Sequence, residues 1–264
     1  MRRLLSTLTL VVAFALPAVA QEPEAAPETV TVPELQSSSP FTEGERAALH
    51  AEIRAYLLDH PELLMEMLQI LEQKKQAAAA VTDQQLLAAN ADAIFDDGFS
   101  WVGGNPEGGF TIVEFLDYQC GYCRRAQPEV EELLASDGNI RLIVKEMPIL
   151  GPGSDLAARA AVATLISEGP EAYAALHGRL MRLKGQIDDV SLDKTLEDAG
   201  LDPAAIRAAM EDPEVDRRIA ATRALAETLQ ISGTPTFVFD DRMVRGYVPL
   251  EQMRNLVGEL RSVD

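Results

Sequence analysis

The sequence predicts an α/β fold, one sheet interleaved with helices, with a helical block inserted into it and an α-helical arm ahead of it. Three observations carry this. The runs Phe110 to Leu116 and Ile140 to Val144 are short, apolar and rich in β-branched residues, as buried strands are, and a helical stretch separates them. From about Ser154 to Gln230 the pattern is helical and is punctuated at Gly169-Pro170, Gly185, Gly200 and Asp212-Pro213. Between Glu62 and Asp97 there is neither Gly nor Pro.

Taken in order, Arg2 and Arg3, an apolar stretch from Leu4 to Leu16 and Ala18-Val19-Ala20 read as a signal peptide over residues 1–20. The apolar stretch is too short for a spanning helix, which needs about 20 residues. Residues 21–41, rich in Pro, Glu, Ser and Thr, have too little apolar surface to fold and are expected to form a flexible leader. An N-terminal helical arm over residues 42–97 follows. It opens on the capping box Thr42-x-x-Glu45, restarts at Asp59-His60-Pro61-Glu62, and carries an apolar stripe of Leu64, Met67, Leu68 and Leu71. Thr82-x-x-Gln85 is a second capping-box pattern that would divide the run. An amphipathic helix gains stability only when its face is buried, here against the domain or against another copy. The heptad repeat is imperfect, because Lys74 falls where an apolar residue is wanted.

Residues 98–109, with Gly103-Gly104-Asn105-Pro106 and Gly108-Gly109, read as a linker into a catalytic domain over residues 110–264. Cys120 to Leu134 is expected to be helical and kinked at Pro128. Thr236 to Phe239 reads as a third strand, Met243 to Tyr247 as its hairpin return, and Pro249 to Ser262 as a closing helix. Strand, helix, strand, helical block, strand, strand, helix is the order of a thioredoxin-like sheet with an inserted helical domain.

The chain has 264 residues and a formal charge of −19. That acidity argues against nucleic acid as a partner. The two cysteines both lie in Cys120-Gly121-Tyr122-Cys123, directly after a strand and at a helix start. Unpaired amides and the positive end of a helix stabilise a thiolate there, so Cys120 is the candidate nucleophile and Cys123 its resolving partner. A zinc site would need two further ligands, and His50, His60 and His177 stand at no ligand spacing. No metal and no cofactor beyond a redox-active Cys120–Cys123 disulfide are expected. Period-two alternation puts Glu114 on one face with Ile112 and Leu116. It is either a buried acid serving the thiols or an exposed edge residue. Asp117 can simply favour the helix dipole. Thr234-Pro235 precedes a strand; a cis bond would set the Thr234 backbone beside the cysteines to bind substrate as an added strand, and a trans turn is the alternative.

Glu114-x5-Cys120-x-x-Cys123, the helical insertion and Gly233-Thr234-Pro235-Thr236-Phe237 together resemble the DsbA superfamily of exported thiol–disulfide oxidoreductases. The resemblance covers Phe110 to Asp264. It implies that Pro235 is cis, Cys120 the nucleophile and Glu114 a buried acid beside the pair. Ile53 to Leu64, with the long helix after it, resembles the ScsC-like branch. Some members of that branch trimerise through N-terminal helices and act as disulfide isomerases, others are monomeric, and the branch is associated with copper tolerance. Gly121-Tyr122 replaces the Pro-His of strongly oxidising members, and Thr234 stands where those carry valine; both are similar to the DsbC isomerases. Lacking a histidine beside Cys120, the protein is expected to be the weaker oxidant.

Three functions stay open. One is a periplasmic isomerase or reductase of misoxidised or unfolded exported proteins, homo-oligomeric (a trimer in the branch it resembles) and served by a membrane-bound thiol reductase. The second is a dithiol oxidase, reoxidised by a membrane-bound oxidase. The third is a Cu(I)-binding copper-tolerance protein, since soft thiolates suit Cu(I). Met65 and Met67 read as apolar filler rather than ligands.

Overall fold

The computed structural model describes residues 41–262. The expected signal peptide, and the leader apart from Phe41, lie outside the described residues. The chain divides into two compact units between Leu63 and Leu64.

The first unit holds α1, Glu43–Asp59. Its capping box forms: the Thr42 hydroxyl accepts from the Glu45 amide at 3.4 Å, and the Glu45 carboxylate accepts from the Thr42 amide at 2.8 Å. Leu49, Ile53, Tyr56 and Leu57 are all exposed. The His60 ring lies 4.4 Å from that of Tyr56.

Helix α2, Glu62–Ala89, runs unbroken through the second capping-box pattern. The Thr82 hydroxyl donates instead to the Ala78 carbonyl at 3.2 Å, the back-bond a threonine makes inside a helix. The break comes at Asn90, before the short α3, Ala91–Phe95. Leu64, Met65, Met67, Leu68, Ile70 and Leu71 are exposed, whereas Leu87 and Ile94 are core residues. Arg245 grips Asp83 with two bonds of 2.6 and 2.8 Å. The buried Lys145 ammonium pairs with Asp97 and donates to the Ala93 carbonyl at 2.8 Å. The end of the expected arm is therefore built into the second unit.

The expected linker also contains structure. Trp101–Gly104 forms β1, antiparallel to β3, with Trp101 opposite Val144. Four residues ending in two glycines carry little strand signal, yet both glycines are needed. A side chain on Gly103 would collide with the Trp101 indole, and Gly104 has φ +65°.

The sheet comprises β1, β2 (Phe110–Leu116), β3 (Ile140–Glu146), β4 (Thr236–Phe239) and β5 (Arg242–Arg245), in the order β1-β3-β2-β4-β5. Only β2 and β3 are parallel. Between them runs α4, Gly121–Asp137, continuous through Pro128. The inserted block is α5 (Pro152–Ser167), α6 (Pro170–Arg182), α7 (Asp189–Asp198), α8 (Pro203–Ala209) and α9 (Pro213–Thr228). Four of these start on proline, where the missing amide costs nothing. The last helix is α10, Leu250–Arg261, burying Met253 and Val257.

The two sheet faces feed separate apolar cores. Ile112, Leu116, Leu142 and Val144 join one with Cys123 and Ala126 of α4. Val113, Phe115 and Ile143 join the other with Leu87 and Ile94.

Candidate active site

The chain turns from β2 into α4 with Cys120 as the helix N-cap, in extended geometry at φ −72° and ψ 116°. Asp117 holds this turn. Its main-chain carbonyl accepts from the Cys120 amide at 3.0 Å. Its buried carboxylate accepts from the Gln119 amide at 2.7 Å, the Ser154 hydroxyl at 2.7 Å, and the amides of Ile149 and Leu150 at 2.8 and 3.0 Å. Asp117 therefore anchors the start of α5 to the cysteine turn, a larger task than the helix-dipole role read from its position.

Both cysteines are thiols and both are buried. The Thr234–Pro235 peptide is cis. The Cys120 thiol donates to the Thr234 carbonyl at 3.1 Å, so the structure brings together two segments 114 residues apart. The Thr234 hydroxyl is buried without a hydrogen-bond partner. A hydroxyl can rotate its hydrogen toward a thiolate, which a carbonyl cannot do.

The two sulfurs titrate in opposite directions. Cys120 is drawn down to about 5, first by the hydrogen bond from the Cys123 thiol and further by Thr234 and by the amides of Cys123 and Tyr122; its partial burial opposes this. The Cys123 thiol is pushed up by that same bond, then by burial and the charge of Glu114. At neutral pH Cys120 is thus the sulfur held as the thiolate, the form able to act as a nucleophile, and Cys123 the one that keeps its proton. The depressed value also favours the reduced fold. That contribution is complete above the unperturbed thiol value of about 8.5 and is lost as the pH falls through about 5.

A direct check is alkylation of the reduced protein with iodoacetamide across pH. The expected rate profile has its midpoint near 5, and Cys120→Ala abolishes the fast phase. A midpoint near the unperturbed value of about 8.5 would refute this electrostatic picture.

Glu114 lies on the buried strand face, 1% exposed, in the same core as Cys123. Burial first, then the negative charges of Cys120 and Glu146, raise it to about 8. One of its carboxyl oxygens is buried without a partner, as suits a neutral acid. Gly121 and Tyr122 flank Cys120 at the surface. The Tyr122 ring lies 6.3 Å from that of Tyr247, over which the Arg125 guanidinium sits at 4.5 Å.

Sequence reasoning missed Glu146, Tyr118 and His177, which form a buried polar group on the same sheet face. The alternation that singled out Glu114 would have found Glu146 had β3 been continued two residues past Val144. Among the described residues no group of three or more His, Cys, Asp or Glu is arranged to hold a metal.

Comparison with known proteins agrees with this geometry. Residues 111–258 match the DSBA-like thioredoxin domain, and residues 45–78 match the copper resistance protein ScsC N-terminal domain. A thioredoxin-like oxidoreductase from Silicibacter pomeroyi is 43% identical with a TM-score of 0.63, covering 66% of this chain and 98% of its own. A linker-deletion variant of ScsC from Proteus mirabilis is 25% identical with a TM-score of 0.66, covering 86% of this chain and all (100%) of its own. The thiol:disulfide interchange protein DsbA of Bordetella parapertussis is 25% identical over 71% of this chain and 91% of its own. Other curated relatives are Na(+)/H(+) antiporters NhaA: the one from Salinispora arenicola is 32% identical over 58% of this chain, which spans 23% of that protein's length.

Proposed function

This chain belongs to the DSBA-like thioredoxin domain family and carries a thiol–disulfide oxidoreductase domain of the DsbA/ScsC type; from that premise we propose that the protein is a periplasmic disulfide isomerase or reductase acting on misoxidised exported proteins. The Cys120 sulfur beside the Thr234 carbonyl is the observation that carries the reading. An extended substrate strand pairing with the Thr234 backbone presents its disulfide to the thiolate.

The Cys120 thiolate attacks one substrate sulfur, the substrate S–S bond breaks, and the other substrate sulfur leaves as a thiolate. In the resulting mixed disulfide Cys120 has lost its charge, and with it one of the causes that raise Glu114. Glu114 then ionises more readily, giving up its own proton to the substrate thiolate that has left, and as a carboxylate accepts the Cys123 proton. Cys123 attacks the Cys120 sulfur, the Cys120–Cys123 bond forms, and the substrate leaves as a second thiolate. Net, the substrate disulfide gains two electrons and the Cys120–Cys123 dithiol loses them. Returning the pair to its reduced state falls to a membrane-bound thiol reductase. In isomerisation the substrate's own thiol resolves the mixed disulfide instead, and the enzyme pair stays reduced.

Two features favour this direction over a dithiol oxidase. Gly121-Tyr122 supplies no cation beside Cys120, which a strongly oxidising pair uses to stabilise its reduced form. The exposed face of α2, from Leu64 to Leu71, suits burial against copies of the same chain. A homo-oligomer, proposed as a trimer on the ScsC resemblance, presents several catalytic sites to one misfolded substrate. Export rests on the signal-peptide pattern at residues 1–20.

The test replaces Leu64, Leu68 and Leu71 with glutamate together and compares mass by light scattering with reactivation of a scrambled disulfide protein. The expected variant is monomeric, keeps thiol reactivity and loses at least tenfold in reactivation. A wild-type monomer, or a variant equally active, would remove the isomerase reading and leave the oxidoreductase domain intact.

A further inference from the structure

Glu146 is the last residue of β3 and is buried on the face that holds Glu114. The parallel register sets Glu114 opposite Val144 and Leu116 opposite Glu146, so the two acids are diagonal neighbours. Tyr118 lies 2.7 Å from one Glu146 oxygen, Oε1, and Tyr173 donates to that same oxygen. The Tyr118 hydroxyl is also 3.0 Å from His177 Nδ1, and His177 Nε2 is 3.2 Å from the Gln127 side-chain oxygen. The Gln127 amide donates to Glu131 at 3.1 Å, and Arg182 clamps Glu131 with bonds of 2.7 and 2.8 Å.

This chain of contacts orders its protons. Glu131, paired with Arg182, only accepts, so Gln127 must turn its amide to it and its oxygen to His177. His177 Nε2 therefore carries the hydrogen. Burial, aided by the charge of Arg182, lowers His177 to about 4, so the ring is neutral at pH 7 and Nδ1 is bare. The hydroxyl of Tyr118 is the donor in contact with Nδ1, and it has a single hydrogen. Spent there, it leaves the Tyr118–Glu146 contact to be bridged by a hydrogen from Glu146. The other Glu146 oxygen, Oε2, is buried without a partner, which a neutral carboxyl tolerates far better than a carboxylate.

We propose that Glu146 is a positioning residue for the disulfide chemistry: kept in its protonated, donating form by the Tyr118–His177–Gln127 chain, it leaves Glu114 as the carboxyl on this face that ionises to receive the Cys123 proton. The inference rests on the function proposed above for Glu114. Two carboxyls on one buried face resist ionising together, so their titrations are coupled. The charged surroundings agree. Burial lifts Glu146 to about 7 even with bonds from Tyr173 and Tyr118 set against it, Asp117 adding to the rise. With the Tyr118 hydrogen spent on His177, one of those opposing bonds is gone and Glu146 holds its proton more firmly, while Glu114 loses the Glu146 charge that helps raise it. Arg218 of α9 lines a cavity of about 20 Å³ beside Glu146, but its hydrogen bonds go to Glu214 and to the Phe99 carbonyl. Lys145 is committed to Asp97 and Ala93.

The test is nuclear magnetic resonance on the full-length reduced protein with ¹⁵N-histidine and ¹³C-carboxyl glutamate, Glu114→Gln and Glu146→Gln providing the assignments. His177 is expected as the Nε2–H tautomer, with Glu146 protonated at pH 6. In Glu146→Gln, a neutral isostere that keeps a donor toward Tyr118, the Glu114 midpoint should stay within about half a pH unit, less than about a threefold change in proton affinity. An Nδ1–H tautomer, an ionised Glu146 at pH 6 or a Glu114 midpoint that falls by more than about half a pH unit in Glu146→Gln would each overturn the proposal. The tautomer is read on the unaltered protein, so the inference stays testable even if the variant fails to fold. Loss of disulfide exchange in the unaltered protein would instead count against the function, whatever the state of Glu146.

Discussion

Cys123→Ser is expected to turn the protein into a trap. With Cys120 still a thiolate, attack on a substrate disulfide proceeds, but the buried resolving sulfur is absent and the mixed disulfide persists. Cells expressing the variant should yield substrate-linked species that vanish on reduction. Cys120→Ser should yield none and should lower turnover at least about a thousandfold, since it removes the nucleophile itself. The ordering follows from the site: Cys120 reaches the surface beside exposed Tyr122, while Cys123 is fully enclosed. Equal trapping by both variants in gel analysis would refute this division of labour.

The second large effect is on stability. Asp117→Ala deletes a buried carboxylate that accepts four hydrogen bonds, three of them from main-chain amides. Each buried donor left unpaired costs about 1–3 kcal/mol. The Gln119, Ile149 and Leu150 residues are partly exposed, so water recovers some of this, and a loss of about 3 kcal/mol or more is expected. That corresponds to a fall in Tm of roughly 6–12 °C for a domain of this size. Thermal unfolding of the reduced protein measures it, and a fall smaller than about 2 °C would mean that Asp117 does not hold the turn. Asp117→Asn retains an accepting oxygen and should lie between the two.

The placement of the two cysteines at a strand–helix junction was legible because the pattern is local. Cys120, Gly121, Tyr122 and Cys123 are contiguous, and the strand–helix junction around them is written in a run of apolar residues followed by helical spacing. Glu114 was legible because alternation along one strand fixes its face. That Thr234-Pro235 stands beside the cysteines was legible only on condition of a cis bond, which the residues alone left open and the family resemblance implied; the folded chain has that bond and sets Thr234 against Cys120. Long-range polar partners left no pattern. Asp117 joins segments more than thirty residues apart, and Tyr118 meets His177 across 59 positions. The domain edge was misplaced for a related reason. Gly103 and Gly104 look like linker, yet β1 is completed by its partner β3, and Lys145 draws residues near Asp97 into the core.

Trp101 gives this arrangement an optical handle. It is the chain's one tryptophan, and its ring lies 5.2 Å from Tyr173 and 6.0 Å from His177. Its indole N–H is tied to the Pro170 carbonyl at 3.0 Å. Indole emission from this protein therefore arises at a single place, against the ring of the histidine whose tautomer orders the buried protons. A change in that ring's charge or stacking is a change in the quencher beside the fluorophore. The buried acid layer beneath the thiols can thus be followed by light, with no label attached.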